Sequence, residues 1–230
     1  MSSQLNYFYV STNLLSGFIP TEMTKLYKLI NCYLHENFLS GSLPQNLGDM
    51  IQVQIFSAHF NQLTGRIPTS IFRMKLLHQI YLQSNFLTGP VANIYNASEQ
   101  KLLTTIDFSS NLLTGVIPIS IFNARHLQSF VAGTNCFTGT LPAEICNAGR
   151  LNYLSLDGMN TAANCRNPLF PSFTGINSYS RTQGTFKEES LIACLTCPKS
   201  KHSTCVALDS VTLPNGPCYQ SVPHQLITVE

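Results

Sequence analysis

The side chains best suited to chemistry in this sequence are six histidines (His35, His59, His78, His126, His202 and His224) and eight cysteines. No HExxH, GxSxG, phosphate-loop or GxGxxG pattern surrounds them. Asp107 and Asp157 fall on predicted strands separated by a third, so about 10 Å apart, which is too far to share a proton. His35 and His59 are 24 residues apart in equivalent positions and should stack as neighbours. Two imidazoles suit a transition metal, but no third ligand of suitable type is evident from the sequence. No metal and no cofactor is therefore assigned, and the chain reads as non-catalytic.

The cysteines are Cys32, Cys136, Cys146, Cys165, Cys194, Cys197, Cys205 and Cys218. Cys194 and Cys197 form a CxxC, yet Cys205 and Cys218 are not the second close pair that structural zinc prefers. No βαβ context supports a redox CxxC. Five cysteines lie beyond residue 160, in a loop-rich tail with little apolar periodicity that needs staples. Cys32 reads instead as a small buried hydrophobe.

Composition narrows the class. The 230 residues carry 13 Lys and Arg against 11 Asp and Glu, a net charge of +2, which argues against nucleic acid as a partner. A 44% hydrophobic content supports a sizeable core and excludes disorder of the whole chain. No run of about 18 apolar residues exists, so no membrane span is expected. The segment after Met1 lacks the basic start and apolar stretch of a secretion signal.

These side chains are positioned by a repeat. Asn13, Asn37, Asn61, Asn85, Asn111 and Asn135 recur at spacings of 24, 24, 24, 26 and 24 residues, in segments such as NLLSGFIP, NQLTGRIP and NLLTGVIP. Apolar residues precede each Asn by eight, five and three positions, as in Leu77, Ile80 and Leu82 before Asn85. A last copy, Leu151, Leu154 and Leu156, reaches Met159 where Asn is expected. Residues two apart face one side of a strand, so each unit predicts a short strand, a tight turn and an irregular return. Stacked units bury one continuous core, which makes a solenoid. The Asn amides should be buried at the turns and bonded to backbone. The Gly four residues after each Asn permits a backbone that other residues would strain, and the Pro at plus seven suits the end of a strand or the start of a convex helical turn.

The units resemble the plant-type leucine-rich repeat, LxxLxxLxLxxNxLxGxIPxxLxxLxx, over about residues 5–159. Families using it include plant receptor ectodomains, polygalacturonase-inhibiting proteins and receptor-like proteins of algae. The resemblance implies an α/β fold: a solenoid with a concave parallel sheet, a short second strand near Gly-x-Ile-Pro, helical turns on the convex side, and a cysteine-rich carboxy-terminal cap. Residues 1–160 would form about seven repeats and 161–230 the cap. Two departures stand out. The cysteine-bearing amino-terminal cap is missing, which leaves Leu5, Phe8 and Val10 uncovered and suggests a piece of a longer polypeptide. The fourth unit is longer and reads Gly89-Pro90-Val91-Ala92 in place of Ile-Pro. With the resemblance, the tail cysteines read as disulfide candidates (Cys146, Cys165, Cys194, Cys197, Cys205 and Cys218), their connectivity open. Asn96, in Asn96-Ala97-Ser98, is a glycosylation candidate on the convex path. An extracellular or cell-surface setting follows.

The outward strand positions carry the candidate site: Tyr9, Tyr33 and Tyr81 in one column, His35 and His59 beside them, Phe60 at the edge, then Gln83 and Asp107. Ser57 leaves a gap between Tyr33 and Tyr81 that could admit a ligand side chain, flanked by imidazoles that ordinarily titrate near pH 6.5. Tyrosine combines contact area with a polar tip, so the face suits a protein or peptide ligand. The expected function is a non-catalytic binding module of a receptor-like protein. Two alternatives stand: an inhibitor of a secreted polysaccharide hydrolase, whose charged patch is largely absent, and a structural, adhesion or ice-contacting protein using the column Thr64, Thr88, Thr114 and Thr138. No oligomeric state follows from the sequence.

Overall fold

A computed structural model describes residues 4–91, 95–96, 99–137, 144–145 and 148–156, together with the backbone of 203–206 and 226–229. Strands Tyr7–Tyr9, Asn31–Tyr33, Ile55–Ser57, Gln79–Tyr81, Thr105–Asp107, Ser129–Val131 and Tyr153–Ser155 form a seven-stranded parallel sheet in chain order. Equivalent residues pair directly, as in Tyr9 with Tyr33 and Tyr33 with Ser57. This is the register the 24-residue period predicts. The middle residue of each strand turns inward: Cys32, Phe56, Ile80, Ile106, Phe130 and Leu154 are all buried. Bulk is balanced within a strand and its exit, since Phe56 is followed by Ala58 and Phe130 by Ala132.

A second parallel sheet of six strands runs alongside, from Ser16–Phe18 through Phe38–Ser42, Gln62–Gly65, Phe86–Pro90 and Leu112–Gly115 to Cys136–Phe137. Its register differs from that of the first. Thr64 pairs with Phe86, Thr88 with Leu112, and Thr114 with Pro90 and Cys136. Equivalent positions are displaced two residues per repeat. Thr64, Thr88 and Thr114 are therefore not cross-strand neighbours, and the threonine column expected from the period does not form among them; Thr138 lies outside the described residues.

Gly41 shows why glycine recurs in this sheet. It holds φ at +72°, and a Cβ there would lie 2.2 Å from Phe18 Cδ1. Convex turns begin at the prolines. Pro20, Pro68 and Pro118, with φ near −67°, −69° and −70°, precede Thr21–Lys25, Thr69–Arg73 and Ile119–Phe122, and each carbonyl accepts the N–H three residues on. Only the last of these is α-helical; the rest are 3-10 turns. The longer fourth unit is held by buried Gln100, whose Nε2 donates to the Ile71 carbonyl at 3.0 Å and whose Oε1 accepts the Asn96 N–H at 3.2 Å.

The ladder Asn residues from Asn37 to Asn135 are buried and bond as expected. The Nδ2 of Asn85 donates to the carbonyls of Leu82, Gln83 and, in the preceding repeat, Ala58, while its Oδ1 accepts the Leu63 N–H at 2.9 Å. Asn13 differs: it is exposed and its amide bonds only Val10 and Ser11 of its own turn. Before every Asn sits a residue in the left-handed region: Thr12, Glu36, Phe60, Ser84, Ser110 and Thr134, with φ between 49° and 56°. The repeat gave no sign of this, because these residues share no type.

Cys32 is fully buried and free, as expected, and burial pushes its thiol pKa up. It should resist iodoacetamide in the folded chain and react at once in denaturant; labelling in the native state would contradict its core position. Cys136, left out of the disulfide candidates above, is disulfide-bonded. Cys146, Cys165, Cys194, Cys197 and Cys218 fall outside the described residues, as does the domain boundary at 160. Cys205 falls on the strand Ser203–Val206, which pairs antiparallel with Leu226–Val229. No helix among the described residues is long and apolar enough to cross a membrane.

Candidate functional site

Seven rings on the amino-terminal half of the concave sheet touch in a chain. Centroids are 6.0 Å apart for Tyr7 and Tyr9, 4.9 Å for Tyr9 and Tyr33, and 5.7 Å for Tyr33 and His35. His35 and His59 stack at 4.4 Å with planes within 6°, and His59 meets Phe60 at 5.4 Å and Tyr81 at 6.2 Å, edge-on. The parallel register creates this contact, because it sets equivalent residues of adjacent strands side by side. Tyr9 remains 57% exposed and Phe60 53%. Phe60 is the bulkiest of the left-handed residues. This conformation recurs before every ladder Asn, so it belongs to the turn and sets where the Phe60 ring projects.

Ser57 departs from expectation. It is not an open gap but only 1% exposed, covered by the two imidazoles. Its Oγ lies 3.1 Å from His35 Nδ1 and 2.8 Å from His59 Nδ1. A hydroxyl has one proton, so it can donate to one ring while accepting an N–H from the other. When both rings are neutral they hold opposite tautomers, and present one Nε2–H donor and one bare Nε2 on the face. The expected titration near neutrality also fails for His59. Burial first, then the neighbouring His35, lowers its pKa to about 4, against the opposing pull of Glu36. That ring stays neutral through the pH range where a free imidazole switches.

Gln83 follows His59 on the next repeat, where its carbonyl accepts the Phe60 N–H at 3.0 Å. Its side-chain Oε1 is the buried polar side-chain atom without a partner among the described residues. Asp107 sits directly across from Tyr81. Its carboxylate folds back onto Ser109, accepting the N–H at 3.0 Å and the hydroxyl at 2.7 Å; burial raises its pKa and these bonds oppose the rise. Burial likewise raises the phenol pKa of Tyr33 and Tyr81. An open depression of about 490 Å³, lined by Thr12, Leu14, Glu36, Phe38 and Phe60 among others, adjoins the ring chain at its turn side.

All eight expected site residues thus lie on one face, six of them in ring contact. Two were missed: Ser57, read as a gap, and Glu36, whose carboxylate approaches both imidazoles. The adjacency His35-Glu36 was visible, but strand alternation would have sent the two to opposite faces. His78 and His126 lie apart from this face, with Nδ1 on the Leu76 carbonyl and Arg150 respectively. His202 and His224 are outside the described residues.

Comparison with known proteins agrees with the solenoid fold. The leucine rich repeat family model matches residues 102–124. No curated protein matches the chain. Among solved structures, the plant peptide hormone receptor RGFR1 in complex with RGF2 is 30% identical over 65% of this chain and 24% of its own, with a TM-score of 0.62. The Arabidopsis receptor kinase HAESA, in complex with the peptide hormone IDA and the co-receptor SERK1, is 31% identical over 71% of this chain and 28% of its own, also at 0.62. A plant ice-binding protein shares the fold at 24% identity, covering 67% of this chain and 49% of its own, with a TM-score of 0.58. The chain therefore spans about a quarter of the two receptor structures. Its repeat, its register and these likenesses together make it a leucine-rich-repeat solenoid built from plant-type units.

Proposed function

We propose that the chain is a protein- or peptide-binding module of an extracellular or cell-surface receptor-like protein, with its ligand on the amino-terminal half of the concave face. The continuous ring chain from Tyr7 to Tyr81 carries this reading. Exposed, mutually buttressed aromatic rings give large contact area at low entropic cost, as binding anchors do. The solved relatives RGFR1 and HAESA hold peptide hormones, which supports a peptide as the ligand class. The disulfide at Cys136 supports an oxidising compartment.

The test is selection of binders from a displayed library of secreted peptides and proteins. Tyr33→Ala or Tyr81→Ala should weaken selected ligands at least about tenfold, the loss expected of anchor residues. Ser129→Ala and Ser155→Ala should change affinity less than about twofold. Losses confined to the carboxy-terminal strands or to convex residues would place the ligand elsewhere.

A further inference from the structure

Among the described residues, one group of metal-ligating side chains comes together closely. A ligand atom from each of His35, Glu36 and His59 lies within 4.8 Å of the others. The sheet register sets the two imidazoles side by side, with the Glu36 N–H donating to the His59 carbonyl at 3.0 Å. The left-handed turn at Glu36, φ 55°, breaks strand alternation and keeps its carboxylate with His35. Ser57 engages the Nδ1 of both rings, so both Nε2 atoms are left for another partner. Thr12 Oγ1 donates to Glu36 Oε2 at 3.0 Å, which leaves Oε1.

We propose that His35 Nε2, His59 Nε2 and the Glu36 carboxylate form a binding site for a divalent transition-metal ion, zinc foremost. Two imidazoles and a carboxylate are a common zinc set, and three protein ligands leave a fourth position open toward the concave surface. Ser57 holds both rings from behind through their Nδ1 atoms. Once both Nε2 atoms donate to the ion, both Nδ1 atoms carry protons, and the two lone pairs of one hydroxyl oxygen accept both. The buried serine can thus hold both rings in the orientation that the ion requires. A metal lies near the plane of each ligating ring, so the parallel stack must tilt open on binding. Both rings are partly exposed, and their ring contacts with Tyr33, Phe60 and Tyr81 must shift as they tilt. The site lies within the face proposed for a ligand, but does not depend on that reading.

The experiment is titration of zinc alone into the full chain, stripped with chelator and with accessible thiols alkylated, followed by calorimetry and by nitrogen-15 spectra of the imidazoles. One equivalent should bind. Both His35 and His59 should move to the form with Nδ1 protonated and Nε2 metal-bound, a change no structural role would cause. His35→Gln, His59→Gln and Glu36→Gln, which keep bulk and polarity, should each weaken binding at least about tenfold, and Ser57→Ala about 10- to 100-fold. No binding of zinc, copper or nickel would overturn the proposal. So would undiminished affinity in the His35→Gln, His59→Gln double variant, since the ion would then sit elsewhere.

Discussion

Asn61→Leu is expected to lower the thermal midpoint by about 6–12 °C, the equivalent of about 3 kcal/mol at 2–4 °C per kcal/mol for a chain of this size. The side chain is buried and makes four bonds. Its Oδ1 accepts the Leu39 N–H at 2.9 Å, and its Nδ2 donates to the carbonyls of Leu34, Ala58 and His59. Leucine fills the volume but offers none of these. The carbonyls keep a second partner each, from Asn37 Nδ2, Asn85 Nδ2 and the Glu36 N–H. The Leu39 N–H loses its acceptor in a buried place, and that orphan donor carries the largest share of the cost, about 1–3 kcal/mol. Asn13→Leu is the internal control. Its side chain is exposed and bonds only its own turn, so the expected loss is under about 1 kcal/mol. Equal melting of the wild type and Asn61→Leu would remove the amide ladder from the account of stability.

Gly48→Ala should cost a similar amount, about 3 kcal/mol, by overpacking. A Cβ at Gly48 would lie 1.8 Å from the Ser70 carbonyl oxygen and 2.6 Å from its carbon. Both are backbone atoms and cannot rotate aside, so the turn Leu47–Asp49 must move off the turn Thr69–Arg73. That movement also strains the bond from the Gly48 N–H to Ser70 Oγ, now 3.1 Å. Gly149→Ala, with nothing within 4 Å of the added carbon, should melt within about 1 °C of the wild type. A Gly48→Ala variant as stable as Gly149→Ala would show that the convex turns are not close-packed.

Much of the candidate site was legible because a strand has a two-residue period and the repeat a 24-residue one. Together they say which way Tyr9, Tyr33, His35, His59 and Tyr81 point and that they share columns, and the observed pairing agrees. Gln83 and Asp107 fell on the same face by the same arithmetic. The buried Asn ladder, free Cys32 and the prolines at the convex turns were legible for similar reasons, since each is a local requirement of one unit stated again in the next.

What failed to appear in the sequence are contacts made between units rather than within them. Ser57 looked like a gap because small side chains leave space, yet two imidazoles lean over it and use its hydroxyl. The low pKa of His59 follows from that burial and from a neighbouring ring, neither of which periodicity records. Glu36 joins the histidines through a left-handed turn that no residue type announces. In the second sheet, a two-residue offset per repeat undoes a column the period seemed to promise. Composition and spacing encode the direction of each side chain relative to its own backbone. Which side chains then meet depends on the shear between stacked units and on rotamers chosen against neighbours, and those are properties of the assembled solenoid.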